Sequence, residues 1–66
     1  MDSNMTMHKG LKVLGAYIYF DAGEWIDVQV HIGDAEAAKR IIRRAGYYIQ
    51  SLKRNADGTV YIKADY

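Results

Sequence analysis

The chain has 66 residues, half of them apolar or aromatic, with no cysteine, no proline and a net charge of +1. That length holds one domain around one core and buries only about 60% of the surface its unfolded chain exposes. The lack of cysteine excludes a disulfide framework and a thiolate metal site, and no apolar run reaches the ~20 residues that span a bilayer, so a cytoplasmic domain without cofactor or membrane segment is expected.

Met1 to Gly10 has neither a basic stretch nor a continuous apolar one, so it does not read as a signal peptide. Residues 1–8 are expected to be a flexible segment, and residues 9–66 the folded domain. From there, Leu14, Ala16, Ile18 and Phe20 alternate with Gly15, Tyr17 and Tyr19. Ile26, Val28, Val30 and Ile32 alternate with Trp25, Asp27, Gln29 and His31. A period of two marks strands with one buried face. Asp21-Ala22-Gly23-Glu24 between them supplies the turn of a hairpin, with Gly23 able to take positive φ.

Asp34 then offers an N-cap oxygen to a helix over residues 34–45. Ala35, Ala38, Ile41, Ile42 and Ala45 form its inward stripe, and Gly46 stops it. Acids at its start (Asp34, Glu36) and bases at its end (Arg43, Arg44) suit the helix dipole. Beyond Gly46, Tyr47–Arg54 and Thr59–Asp65 read as a second hairpin around Asn55-Ala56-Asp57-Gly58. A competing reading extends the helix through Tyr47–Lys53. The two turns are alike, yet no residue-level repeat extends beyond them, so the sequence does not support an internal duplication. The expected fold is α+β in the order ββαββ: a four-stranded antiparallel sheet with one helix packed on one face.

One helix leaves the other sheet face bare. Parity places Tyr17, Tyr19, Trp25, Asp27, Gln29, His31, Tyr61 and Lys63 on it, with either Tyr47 or Tyr48. Taken singly, each tyrosine is explained by cross-strand pairing. Taken together with Trp25, they make a set of interface anchors, and a sheet-to-sheet homodimer would use the same residues.

The charges are segregated. Residues 1–38 hold six acids against Lys9 and Lys12, whereas residues 39–66 hold seven bases against Asp57 and Asp65. Lys39, Arg40, Arg43 and Arg44 line the outer side of the helix, and Lys53 and Arg54 lie near the second turn. Glu36 can pair with Lys39 or Arg40, leaving Arg43 and Arg44 without an acid on the helix. These bases suit either an acidic protein or a phosphate backbone; a solvated helix face is the plainer explanation. A lone helix packed on a sheet argues against sequence-specific reading of DNA.

Nothing in the pattern points to catalysis. Ser3, Ser51, His8 and His31 form no nucleophile–base pairing by spacing, and neither a phosphate-binding glycine loop nor a metal-ligand motif is present. A non-enzymatic domain is expected. In size, in its lack of cysteine and proline, and in its two hairpins (Tyr17–Gln29 and Tyr47–Lys63) around the helix Asp34–Ala45, the chain resembles the small inhibitors that phages encode, anti-CRISPR proteins among them. The resemblance implies a non-enzymatic protein that occludes a nucleic-acid-binding or partner-docking surface of a larger complex, with a nucleoprotein complex among the candidates. Many such inhibitors are acidic mimics of DNA, and the basic helix here departs from that pattern. The leading expectation is therefore a protein-binding module using Arg40, Arg43, Arg44, Tyr17, Tyr19, Trp25, Tyr61 and Lys63. The alternative is a nucleic-acid-binding module using Lys39, Arg40, Arg43, Arg44, Lys53 and Arg54.

Overall fold

The computed structural model describes residues 3–66, with side chains from residue 5 onward. Seven elements follow one another: α1 (Ser3–Val13), β1 (Tyr17–Asp21), β2 (Trp25–His31), a 3-10 turn (Ile32–Asp34), α2 (Ala35–Arg44), β3 (Tyr48–Arg54) and β4 (Thr59–Asp65). The strands form one antiparallel sheet in the order β1-β2-β4-β3. The α+β class and the four-stranded antiparallel sheet stand. The order is αββαββ rather than ββαββ.

The added helix replaces most of the expected flexible segment; Met1 and Asp2 lie outside the described residues. Its cause is apolar spacing. Met7 and Leu11, four residues apart on one helix face, are 1% and 0% exposed and join the core, and Leu14 packs against it from the helix end. Gly10 makes room for this packing: a Cβ there would stand 3.2 Å from Ile41 Cδ1 of α2. A glycine that weakens an isolated helix therefore brings this one close to its neighbour.

Both helices lie against one side of the sheet. Between them and the sheet, Met7, Leu11, Ala38 and Ile42 meet Ile26, Val28, Val30, Val60, Ile62 and Ala64, all essentially buried. Burying each large aliphatic contributes about 1.5–3 kcal/mol. Tyr47 belongs to this core, 2% exposed, with its hydroxyl donating to the Gly23 carbonyl at 3.1 Å and its ring stacked on Tyr66. Tyr48 is the residue that faces out, which settles the register the sequence leaves open.

Each helix ends in the same way. The amides of Gly15 and Ala16 donate to the carbonyls of Lys12 and Leu11, and those of Gly46 and Tyr47 donate to Arg43 and Ile42. These are paired Schellman bonds, and both glycines hold positive φ, +77° and +98°. The second stop removes the reading in which α2 continues past Gly46. At its other end, α2 departs from expectation. Asp34 makes no side-chain cap bond, and the chain enters through the 3-10 turn instead. There His31 Nδ1 accepts from the Gly33 amide at 3.1 Å.

The two halves match element for element. Met7, Gly10, Leu11 and Gly15 correspond to Ala38, Ile41, Ile42 and Gly46 at one constant spacing. The bulged residues, Tyr19 in β1 and Gln50 in β3, obey the same spacing. β2 and β4 pair antiparallel at the centre, from Trp25↔Asp65 to His31↔Thr59, with Val28 opposite Ile62. The molecule thus has a pseudo-two-fold axis through the middle of its sheet, a symmetry of arrangement that the absence of a residue-level repeat did not announce. The repeat lies in burial, turns and bulges, not in residue identity.

A candidate interface on the open sheet face

The face away from the helices is built by strand parity, modified by the two bulges. On β1, Tyr17 pairs with Gln29 and points outward, and Ile18 pairs with Val28 and points inward. After the bulge at Tyr19, Phe20 pairs with Asp27. Phe20 therefore turns outward, contrary to the simple alternation that placed it in the core. It lies against Trp25, with ring centroids 4.4 Å apart. A bulge shifts parity by one residue, so a single extra residue moves a ring from one face to the other.

The rings collect into two groups. Tyr17, Tyr19 and Tyr61 form an edge-to-face row, with centroids 4.6 and 5.6 Å apart, and Phe20 with Trp25 forms a tilted pair. Tyr17, Tyr19, Phe20, Trp25 and Tyr48 are all exposed, Trp25 at 39%, while Tyr61 is half-buried. Lys63 is exposed on the same face, opposite Asp27 across β2 and β4. The nominated residues Tyr17, Tyr19, Trp25, Tyr61 and Lys63 thus share one surface.

Asp27 sits between the two ring groups, opposite Phe20 on one side and bonded to Tyr61 on the other. It points to the open face yet is only 7% exposed, because its neighbours close over it. The Tyr61 hydroxyl donates to its Oδ2 at 2.9 Å. Its Oδ1 is buried and has no hydrogen-bond partner among the described residues. An unsatisfied buried acceptor of this kind costs about 1–3 kcal/mol. The bond to Asp27 holds the Tyr61 phenol above its ordinary pKa. Partial desolvation, the Asp27 charge and the nearby Tyr19 act in the same direction.

Elsewhere the face is well bonded. Tyr19 donates to Gln29, and the Gln29 amide donates to Thr59 Oγ1 at 2.8 Å. Thr59 Oγ1 also receives Asn55 at 3.0 Å and donates to Asp57 at 2.6 Å. Gln50 donates to Asp65 at 2.5 Å. This network fixes the polar half of the face, next to the aromatic half.

The arginines lie on the other side. α1 and α2 carry Lys9, Lys12, Lys39, Arg40, Arg43 and Arg44 against Glu36 alone. Lys39 pairs with Glu36 at 2.8 Å, holding that carboxyl below its usual range, and Arg40, Arg43 and Arg44 are exposed. The β1–β2 hairpin carries Asp21, Glu24 and Asp27 and no base. The charges are thus unevenly placed in the fold: a basic helix side, an acidic first hairpin, and Lys53, Arg54 and Lys63 on the second. The nominated protein-binding set is therefore split, since Arg40 and Arg44 lie on the helix layer opposite the open-face rings. Arg43 alone approaches the sheet margin, where it lines a shallow depression of about 450 Å³ with Gly46, Tyr47, Tyr48 and Ile49. Lys53 and Arg54 are exposed at the end of the β3 edge, apart from the helical bases in the chain.

Sequence reasoning missed Phe20 and α1's two lysines as members of these surfaces, and it placed Asp27 on the open face without foreseeing its burial. For Asp27 a signal exists: a lone acid at an outward position, flanked by Trp25 on its own strand. Among the described residues no helix is long and apolar enough to cross a membrane, and no three His, Cys, Asp or Glu side chains are grouped to hold a metal ion. His8 instead closes α1 onto β1 through Asp21 at 2.5 Å, and Ser51 stands opposite Lys63 on the open face. Comparison with protein-family models, with curated proteins and with solved structures finds no match, so the surfaces themselves carry the functional argument.

Proposed function

We propose that this protein is a non-catalytic protein-binding module whose open sheet face docks on a larger partner. The observation that carries the reading is the group of exposed rings, Tyr17, Tyr19, Phe20, Trp25 and Tyr48, on the face that both helices leave bare. A monomeric domain needs no such concentration of aromatic surface for solubility, and Tyr and Trp are the residues most often found as interface anchors. Inhibition by occlusion is the form of activity we favour, supported by small size and by rings already grouped on the open face. The resemblance to phage inhibitors now rests on size and composition, since a second helix alters the layout that suggested it.

The test is affinity capture from the native host with three baits: wild type, Tyr17→Ser/Trp25→Ser, and Arg43→Glu/Arg44→Glu. We expect the open-face variant to lose the partner and the helix variant to keep it. Light scattering of the purified chain distinguishes a second copy as the occupant, since a sheet-to-sheet dimer would already hide Trp25.

A second reading is favoured by the extension of the basic layer to α1. Six bases against one acid on two adjacent helices form an electrostatic footprint for phosphates. On this reading the helix variant loses binding to oligonucleotides, and wild-type affinity falls steeply with salt. Absence of binding at low salt disposes of it.

A further inference from the structure

We infer that the open face recognises a guanidinium. In this arrangement an arginine side chain of the partner enters between the Phe20–Trp25 pair and the Tyr17–Tyr19–Tyr61 row and donates to the Asp27 carboxylate. The inference rests on the protein-binding reading above and names the chemistry at its centre.

Asp27 is the observation that demands an occupant. The other acids of the sheet are bonded: Asp21 by His8 and the Gly23 amide, Asp57 by Thr59, and Asp65 by Gln50. Asp27 is more deeply buried than any of them and keeps one oxygen without a partner among the described residues. Lys63 stands in register with it across β2 and β4, yet the ion pairs among the described residues are His8–Asp21 and Lys39–Glu36. Lys63 therefore does not neutralise Asp27 in this arrangement.

The surroundings select a flat cation. Rings attract a cation over their faces, and a guanidinium can stack on them while its fork engages a carboxylate. An ammonium is compact and more strongly hydrated, so it uses the rings less well. The acids of the first hairpin, Asp21, Glu24 and Asp27, favour a cation at this end of the face. Oδ1 is covered, so the entering group must part the side chains above it. Phe20, Trp25 and Lys63 are all exposed, and exposed side chains change rotamer on the ps–ns timescale.

The experiment titrates the full, isotope-labelled chain with N-acetyl-arginine methylamide and with its citrulline counterpart, which has nearly the same shape without the charge. Spectra follow the Asp27 carboxyl carbon, the Trp25 indole and the Tyr61 ring. We expect saturable shifts with the arginine probe and about tenfold weaker binding of citrulline, the size of one lost charge-assisted hydrogen bond. Asp27→Asn, whose side chain can still accept from Tyr61, should bind both probes at the citrulline level while keeping the wild-type spectrum elsewhere. Lys63→Gln should bind arginine at least as well as wild type. Equal binding of the two probes, undiminished arginine binding by Asp27→Asn, or no arginine binding at all overturns the inference. The two claims fail separately. If Tyr17→Ser/Trp25→Ser abolishes partner capture while Asp27→Asn leaves it intact, the docking face stands and the guanidinium does not. If neither variant affects capture, the docking reading itself falls.

Discussion

Gly15 and Gly46 occupy equivalent places at the ends of the two helices, and replacing each by alanine gives an internally controlled measurement. Both hold positive φ, at +77° and +98°. An L-residue in the left-handed region costs roughly 1–2 kcal/mol, partly offset by the stiffer unfolded chain that alanine gives. At Gly15 an added Cβ meets nothing within 4 Å, so the backbone cost is the whole effect. At Gly46 the Cβ would stand 3.3 Å from Tyr66 Cε1, in the ring stacked at 4.5 Å on Tyr47. Disturbing that stack adds about 0.5–1.5 kcal/mol. For a domain of this size each kcal/mol shifts Tm by about 4–8 °C. Gly15→Ala should therefore lower Tm by roughly 5–10 °C, and Gly46→Ala by several degrees more. Thermal and urea unfolding of both variants measure the difference, and adding Tyr66→Ala to each should bring the two losses together. If Gly15→Ala proves neutral, the left-handed stop is not required there. If Gly46→Ala costs no more than Gly15→Ala, the Tyr47–Tyr66 stack does not brace the second helix end.

Leu11→Ala should cost about 2–5 kcal/mol, comparable to Ile42→Ala at the equivalent position, because both side chains are fully buried between helix and sheet. Urea unfolding checks this, and a near-neutral Leu11→Ala would show that α1 is not part of the folded unit. The Tyr61 phenol should titrate above its ordinary value, and Asp27→Asn should bring it down, as followed by ultraviolet absorbance. Since its folded pKa is raised, the stability linked to Tyr61 is fully present below the unfolded phenol value, and it is lost as pH rises through the folded one. The alkaline limb of the wild-type stability profile should therefore flatten in Tyr61→Phe; an unchanged limb would show that the bond to Asp27 does not persist.

The legible parts of the fold were those governed by local pattern. The β2 alternation through Val30, the two turns, the α2 stripe and the Gly46 stop each depend on residues within a few positions of one another, and each appears where the pattern places it; Ile32, read as the last inward strand residue, instead opens the 3-10 turn and is exposed. The α1 helix escaped because its apolar stripe is sparse and Gly10 interrupts it; its stability comes from Ile41 and the sheet, which are remote in sequence. Phe20 was misplaced because parity counting has no means of seeing a bulge, which exists only relative to the partner strand. The same limit hid the closure over Asp27. Burial of an outward-facing acid depends on Phe20 and Tyr61, brought beside it by pairings that no local spacing announces. The pseudo-symmetry was invisible for a further reason: Leu11 matches Ile42 and Met7 matches Ala38 in burial, not in identity.

The pairing of β2 with β4 leaves the short 3-10 turn Ile32–Asp34 as the one link between the two αββ halves. Neither αββ half can bury its inner strand alone, because the ladder from Trp25↔Asp65 to His31↔Thr59 needs one strand from each. Were this link to straighten in two chains at once, breaking the bonds of Ile32 to Gly58 and of Gly33 to His31, the second half of each could lie along the β2 of the other and remake the contacts between the halves. Such an exchange leaves the open faces intact but doubles them, so that one assembly presents two copies of the aromatic surface. At high concentration avidity would then rise without any change in the site itself.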